Sequence, residues 1–239
     1  MAATATAPVR TRVLGIPVDV CDVRQRALDL AQSGGQIVTL NAEMTMAALD
    51  NRDLRSAIEQ ADLIIPDGAG VVWALARQGH RVQRSPGIEL ARWLLEQAAA
   101  NAWQVALVGA SPEVLTRLCQ RLHDELPSLR LVFTADGYRS SADWPDVERQ
   151  LLTARPDLVL VALGVPRQET WIASLPRPLT GLWMGVGGSF DVWAGDKRRA
   201  PGWMRSLHAE WLYRLIKEPT RWRRMLALPA FAREVLRRG

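Results

Sequence analysis

Short apolar runs alternate with longer stretches of helical spacing through most of the chain. The runs are Ile37–Leu40, Leu63–Pro66, Val105–Val108, Leu131–Thr134, Leu158–Leu163 and Leu182–Val186. They are short and lack polar alternation, which predicts strands buried on both faces. Between them, Ala47–Gln60, Gly87–Ala100 and Asp143–Ala154 carry apolar residues at helical spacing. Ser111-Pro112-Glu113 opens a further helix, with Ser as N-cap, Pro at the first helical position and Glu in the first turn. Strands alternating with helices predict an α/β fold with a parallel sheet covered on both faces.

After Gly195 the pattern changes. Residues 1–195 read as the α/β core and 196–239 as a basic helical appendage punctuated by Pro201, Pro219 and Pro229. Amphipathic helices are expected at Met204–Lys217 and Thr220–Leu228, with another after Pro229. The formal net charge of the chain is +5, and its placement is uneven. Asp196–Gly239 holds 12 Lys and Arg against 4 Asp and Glu, whereas the rest holds 18 against 21. Trp203, Trp211, Tyr213 and Trp222 interleave with Arg205, Arg214, Arg221, Arg223 and Arg224, a pattern suited to an anionic bilayer surface. Nucleic acid is the competing partner for such a tail.

No run reaches 18 consecutive apolar residues, so no membrane-spanning helix is expected. Nor does the N-terminus carry the apolar stretch of a secretory signal. Cys21 and Cys119 are far apart with no CxxC, which argues against a disulfide framework and fits a reducing compartment. His80, His123 and His208 lack ligand spacing and there is no Asp-x-Asp, so no metal site is expected.

Candidate chemistry gathers at the C-terminal ends of the expected strands, where open α/β sheets bind ligands. Asp67, at a strand tip before a glycine-rich turn, reads either as a turn aspartate or as a general base for an attacking hydroxyl. Thr39 and Asn41 can orient a hydroxyl or bond their own backbone. Gln168 and Glu169 can bind substrate or cap a helix. Gly109-Ala110-Ser111 runs from a strand into a helix, a place for phosphate or a plain tight turn. Asp136-Gly137-Tyr138 and Gly187 belong to the same edge, and Arg84 is a candidate for neutralising a phosphate.

With these residues in view, the chain resembles the WecG/TagA/CpsF family, glycosyltransferase family 26. The resemblance runs from about Val13 to Ala230 and rests on elements in order, among them Thr39-Leu40-Asn41-Ala42-Glu43, Pro66-Asp67-Gly68-Ala69-Gly70 and Pro166-Arg167-Gln168-Glu169. Gly185-Val186-Gly187-Gly188-Ser189-Phe190-Asp191, Arg199-Ala200-Pro201 and Glu210-Trp211-Leu212-Tyr213-Arg214-Leu215 follow. It implies a Rossmann-like fold and an inverting transfer from a UDP-sugar to a polyprenyl-diphosphate-linked acceptor, with no metal or other cofactor. The implied donor sugar is of the N-acetylmannosamine type, with glucose and glucuronic acid as alternatives. Asp67 takes the family's base position, and Thr39 and Gln168 take active-site positions. The appendage is implied to dock on the inner face of the cell membrane and to complete the site with Arg205, Arg214, Arg221 and Arg224. Self-association is a further implied property, and nucleic acid is not an implied partner. The usual Glu-Arg-Val-x-Gly reads Gln83-Arg84-Ser85-Pro86-Gly87 here, so the carboxylate beside Arg84 is missing. Three competing functions are a UDP-sugar-binding module without turnover, a nucleic-acid-binding protein and a nicotinamide-dependent oxidoreductase. The last lacks its GxGxxG fingerprint.

Overall fold

A computed structural model describes residues 9–206, 210–219 and 222–238. Six parallel strands form the main sheet in the order β4-β3-β8-β7-β5-β6. They are β3 (Gly35–Leu40), β4 (Leu63–Pro66), β5 (Gln104–Gly109), β6 (Arg130–Ala135), β7 (Leu158–Ala162) and β8 (Leu182–Gly185). Each contains or nearly coincides with one of the apolar runs, and all except β6 are almost wholly buried.

Alternate residues of these strands feed different cores. Ile37, Ile65, Leu107, Leu160 and Met184 face one layer. That layer holds α1 (Val23–Ser33), α5 (Gly87–Ala100), α6 (Pro112–Glu125) and α9 (Ser189–Trp193). On the opposite face, Val38, Leu40 and Ile64 pack against α2 (Ala42–Asp50), α3 (Arg52–Glu59) and α4 (Ala69–Arg77). Val108, Val161 and Trp183 on that face pack against α7 (Trp144–Ala154) and α8 (Arg167–Ser174). Neighbouring strands β3 and β8 therefore send their following helices, α2 and α9, to opposite faces. This opens a crevice at their carboxyl ends, the position where such sheets bind ligands.

The helices differ from the sequence expectation in several places. Residues 47–60 do not form one helix: α2 starts at Ala42, and the chain breaks at Asn51 before α3. Asn51 is extended, donates its backbone N–H to the Ala47 carbonyl and accepts from Leu54 N with its side chain, so one residue ends α2 and caps α3. In the tail, the described residues of Met204–Lys217 fall in α10 (Gly202–Ser206) and α11 (Glu210–Lys217), and those of Thr220–Leu228 in the short α12 (Trp222–Met225) and the start of the last helix. The last helix, α13 (Ala227–Arg238), starts before Pro229, which sits in its first turn where no intrahelical N–H bond is required. Phe231 and Val235 of α13 are buried against α2 and α4, so this part of the basic tail is core.

The N-terminal hairpin of β1 (Val9–Val13) and β2 (Ile16–Val20) lies outside the expectation. Its two-residue turn, Leu14-Gly15, has positive φ at both positions, as hairpin turns demand. Buried Asp19 ties the hairpin down, accepting from Arg10 Nε at 2.8 Å and from the β4 backbone N–H of Ile64 at 2.8 Å.

Candidate active site

At the β3–β4 corner, three candidate residues, Thr39, Asn41 and Asp67, meet the start of α5. Thr39, the penultimate residue of β3, is nearly buried, and its methyl lies where any side chain on Gly87 would fall, 2.7 Å from the built Cβ. Gly87 opens α5, and its N–H donates to Asp67 Oδ1 at 3.2 Å. The loop before it is stitched to β4 by the Ser85 N–H donating to the Pro66 carbonyl at 3.0 Å. Asn41 caps α2, its Oδ1 accepting from Met44 N at 2.9 Å, and its Cβ packs 3.1 Å from the Cβ position of Gly68. Thr39, Asn41, Asp67 and the first residue of α5 thus lie together at the carboxyl ends of β3 and β4.

Gln168 and Glu169 form a second group, at the start of α8. Gln168 Oε1 accepts from the backbone N–H groups of Gly164 and Gly187, both at 3.1 Å. Its Nε2 donates to Glu169 Oε1 at 2.7 Å. One buried amide therefore fastens the loop after β7 to the loop after β8. A Cβ on Gly185 would stand 2.5 Å from Gln168 Nε2, so glycine is required for this approach. Gln168 and Glu169 are both 2% exposed, and Glu169 Oε2 is buried with no hydrogen-bond partner among the described residues.

Burial pushes the Glu169 carboxyl from its ordinary 4.5 up to about 7, with the Gln168 amide opposing the rise only in part. Between those values the folded chain holds a proton that the unfolded chain has released. Stability therefore falls as pH rises from about 4.5 to about 7 and is flat with respect to this group above it. Urea melts of wild type and Glu169→Gln should show this difference. The variant is expected to lose that part of the slope, gaining roughly 2–3 kcal/mol relative to wild type between the two ends of the window.

A third group sits at the β5–β6 end. Gly109 and Ala110 have φ of +114° and +59°, and a Cβ on Gly109 would lie 2.4 Å from the Ala162 carbonyl oxygen. Ala110 is a non-glycine residue in the left-handed region, a strained conformation. Its N–H donates to the Ala162 carbonyl at 3.0 Å, and Ser111 caps α6 by accepting from Val114 N at 3.3 Å. These commitments favour the tight-turn side of the expectation. Gly137 N–H donates to the Ala110 carbonyl at 2.8 Å, and Arg167 donates to the Gly137 carbonyl at 3.1 Å while stacking on Trp144. Asp136 accepts from Tyr138 N at 3.0 Å and pairs with Arg139, leaving the Tyr138 ring exposed.

The sheet brings these groups to one edge but not to one point. Strands β4 and β6 are its two ends, about 24 Å apart at ordinary strand spacing. Gln168, fastening the loops of central strands β7 and β8, stands between them.

Arg84 meets the tail. Its Nη1 lies 2.9 Å from Glu210 Oε2 on α11, and Glu210 Oε1 lies 3.3 Å from Arg199 Nε. Arg199 reaches Glu89 on α5 at 2.6 Å. The carboxylate missing beside Arg84 in sequence is thus supplied from the tail. Lys197 adds a second tie, between Asp191 of α9 and Glu218. Sequence reasoning did not single out Arg199, Glu210 or Glu89 as site residues. Arg199 and Glu210 lie in elements that carry the family resemblance, but no spacing rule pairs residues 126 positions apart. Of the expected tail arginines, Arg221 lies outside the described residues, as do the side chains of Arg205, Arg214 and Arg224. Among the described residues, no three His, Cys, Asp or Glu side chains are grouped to hold a metal ion. No described helix is long and apolar enough to cross a membrane.

Comparison with known proteins adds an independent finding. The family model described as "Glycosyl transferase WecG/TagA/CpsF family" matches residues 11–239. An N-acetylglucosaminyldiphosphoundecaprenol N-acetyl-beta-D-mannosaminyltransferase of Bacillus subtilis (strain 168) is 37% identical over 209 residues, which cover 85% of this chain and 80% of the relative. The protein of the same description from Bacillus spizizenii (strain ATCC 23059 / NRRL B-14472 / W23) is 36% identical, covering 85% of this chain and 79% of its own.

Proposed function

The chain belongs to the WecG/TagA/CpsF family of glycosyl transferases and is a glycosyltransferase, and on that premise we propose that it moves an N-acetylmannosamine-type sugar from UDP to a polyprenyl-diphosphate-linked acceptor at the membrane surface. The observation that carries this reading is the placement of Asp67. Its carboxylate is anchored at Oδ1 by the N–H of Gly87, the first residue of α5, which Thr39 packs against, and Asn41 packs on Gly68, the residue after Asp67. The names of the two relatives support the acceptor class and the sugar. Glucose and glucuronic acid are the alternative donors.

The proposed reaction is a single displacement. Asp67 takes the proton of the acceptor hydroxyl, whose oxygen bonds to the anomeric carbon as the bond from that carbon to the UDP oxygen breaks. The attack comes from the face opposite the leaving group, so an α-linked donor gives a β-linked product. Thr39 and the Asn41 amide orient hydroxyls, while the loops fastened by Gln168 set the depth of the donor pocket. The departing diphosphate carries away negative charge, and Arg84 with the tail arginines offsets it electrostatically. In this reading no metal is needed. UDP release in a panel of UDP-sugars, with a lipid-linked N-acetylglucosamine acceptor, is expected to survive EDTA. Loss of release in EDTA, restored by Mg²⁺ or Mn²⁺, would contradict the metal-free reading.

The tail is proposed to hold the protein on an anionic bilayer. Trp203, Trp211, Ile216 and Trp222 are exposed, Trp203 and Ile216 by 64% and 63%. Deletion of 196–239 is a poor test, because Phe231 and Val235 belong to the core. The double substitution Trp203→Glu with Ile216→Glu removes apolar contact and adds repulsion without touching that core. Co-sedimentation with anionic liposomes should fall about tenfold or more. Unchanged co-sedimentation would place the membrane contact elsewhere.

A further inference from the structure

The pair Arg84 and Arg199 has the form of an anion site that already has an occupant. Two guanidinium groups from distant segments converge on the two oxygens of one carboxylate, at 2.9 Å and 3.3 Å. All three side chains are mostly buried, with exposures of 17%, 24% and 19% for Arg84, Arg199 and Glu210. A carboxylate and one phosphate of a diphosphate present similar oxygens to such a fork. The location ties the pair to Asp67. Arg84 precedes Ser85, whose N–H is bonded to the Pro66 carbonyl, and α5 begins at Gly87, whose N–H holds Asp67. Glu89, in the first turn of α5, fixes Arg199 from its other side at 2.6 Å.

We infer that Arg84 and Arg199 form a binding site for a phosphate group of a diphosphate, and that Glu210 of the tail is its intramolecular placeholder, displaced when the diphosphate binds. The inference rests on the transferase reading only for the identity of the diphosphate. Its physical basis is competition: an anion that must displace a tethered carboxylate binds more weakly by the fraction of time the site is open. The same swap frees the first residue of α11 from Arg84 and Arg199, leaving the Lys197–Glu218 tie at its other end. Substrate binding and tail position are thereby coupled through one carboxylate.

The test uses the full chain and inorganic pyrophosphate, with affinity measured by calorimetry at fixed ionic strength. Glu210→Gln keeps volume and removes the competing charge, and it is expected to bind pyrophosphate roughly tenfold more tightly than wild type. Arg199→Gln is expected to bind it several-fold more weakly. If Glu210 instead merely holds the two arginines in place, Glu210→Gln will bind pyrophosphate no better or worse than wild type, and the inference is overturned. Arg199→Gln binding as tightly as wild type would also overturn it. A gain in Glu210→Gln without sugar transfer from any UDP-sugar would keep the placeholder and discard the transferase substrates proposed above. Transfer with no such gain would do the reverse.

Discussion

Replacing Asp67 with Asn is expected to lower turnover by about 10²–10⁴-fold while donor binding survives. The amide has nearly the shape of the carboxylate and keeps an oxygen for the Gly87 N–H, so the β4–α5 junction should hold. What it loses is the capacity to accept a proton from the attacking hydroxyl. The prediction separates the two readings of this residue. If Asp67 served only to tie the start of α5 to the end of β4, the Asn variant would retain most of its turnover. Turnover with saturating acceptor, alongside donor affinity from calorimetry, checks both halves of the statement.

Gln168→Leu is expected to be the second most damaging change, and by a different route. The amide satisfies the Gly164 and Gly187 N–H groups and the Glu169 carboxylate at once. Leucine leaves these buried groups without that partner, which costs about 2–4 kcal/mol in stability. It also releases two loops that the fold otherwise holds together at the crevice. A displacement of about 1 Å there can cost on the order of 10²-fold in rate. Glu169 would lose the hydrogen bond that restrains its rise above the ordinary carboxylate range. A melt combined with steady-state rates should therefore show both losses in Gln168→Leu. Full activity with reduced stability would assign Gln168 to the scaffold alone.

The strand order of the sheet was beyond sequence reading, yet its strands were not. Runs such as Leu158–Leu163 are apolar on both sides because helices cover both faces, and that leaves an unmistakable pattern. The helix break at Asn51 was legible in principle, since Asn is a strong N-cap, but continuous helical spacing across 47–60 masked it. The opening hairpin was missed because its strands are short and β1 is largely exposed, and because Leu14 occupies a turn position normally given to glycine or asparagine.

The site followed a similar division. Candidates at or just after a strand end, such as Thr39, Asp67 and Gln168, could be named from the sequence, because topology sends all strand ends to one edge. Dual roles could not be read. Asn41 is both a candidate ligand and the cap of α2, and Gln168 is both a candidate ligand and a loop fastener. The cluster of Arg84, Arg199, Glu89 and Glu210 was invisible for a simpler reason. Its members come from separate segments, and only the folded tail brings them together.

The most direct test of the central claim is analysis of the product made from UDP-N-acetylmannosamine and a polyprenyl-diphosphate-linked N-acetylglucosamine. The expected result is acceptor-dependent formation of a lipid-linked disaccharide whose new linkage is β, with stoichiometric UDP. An α-linked product would contradict single displacement by an acceptor that Asp67 activates. UDP binding with no disaccharide from this or any other UDP-sugar would contradict the proposed substrates altogether.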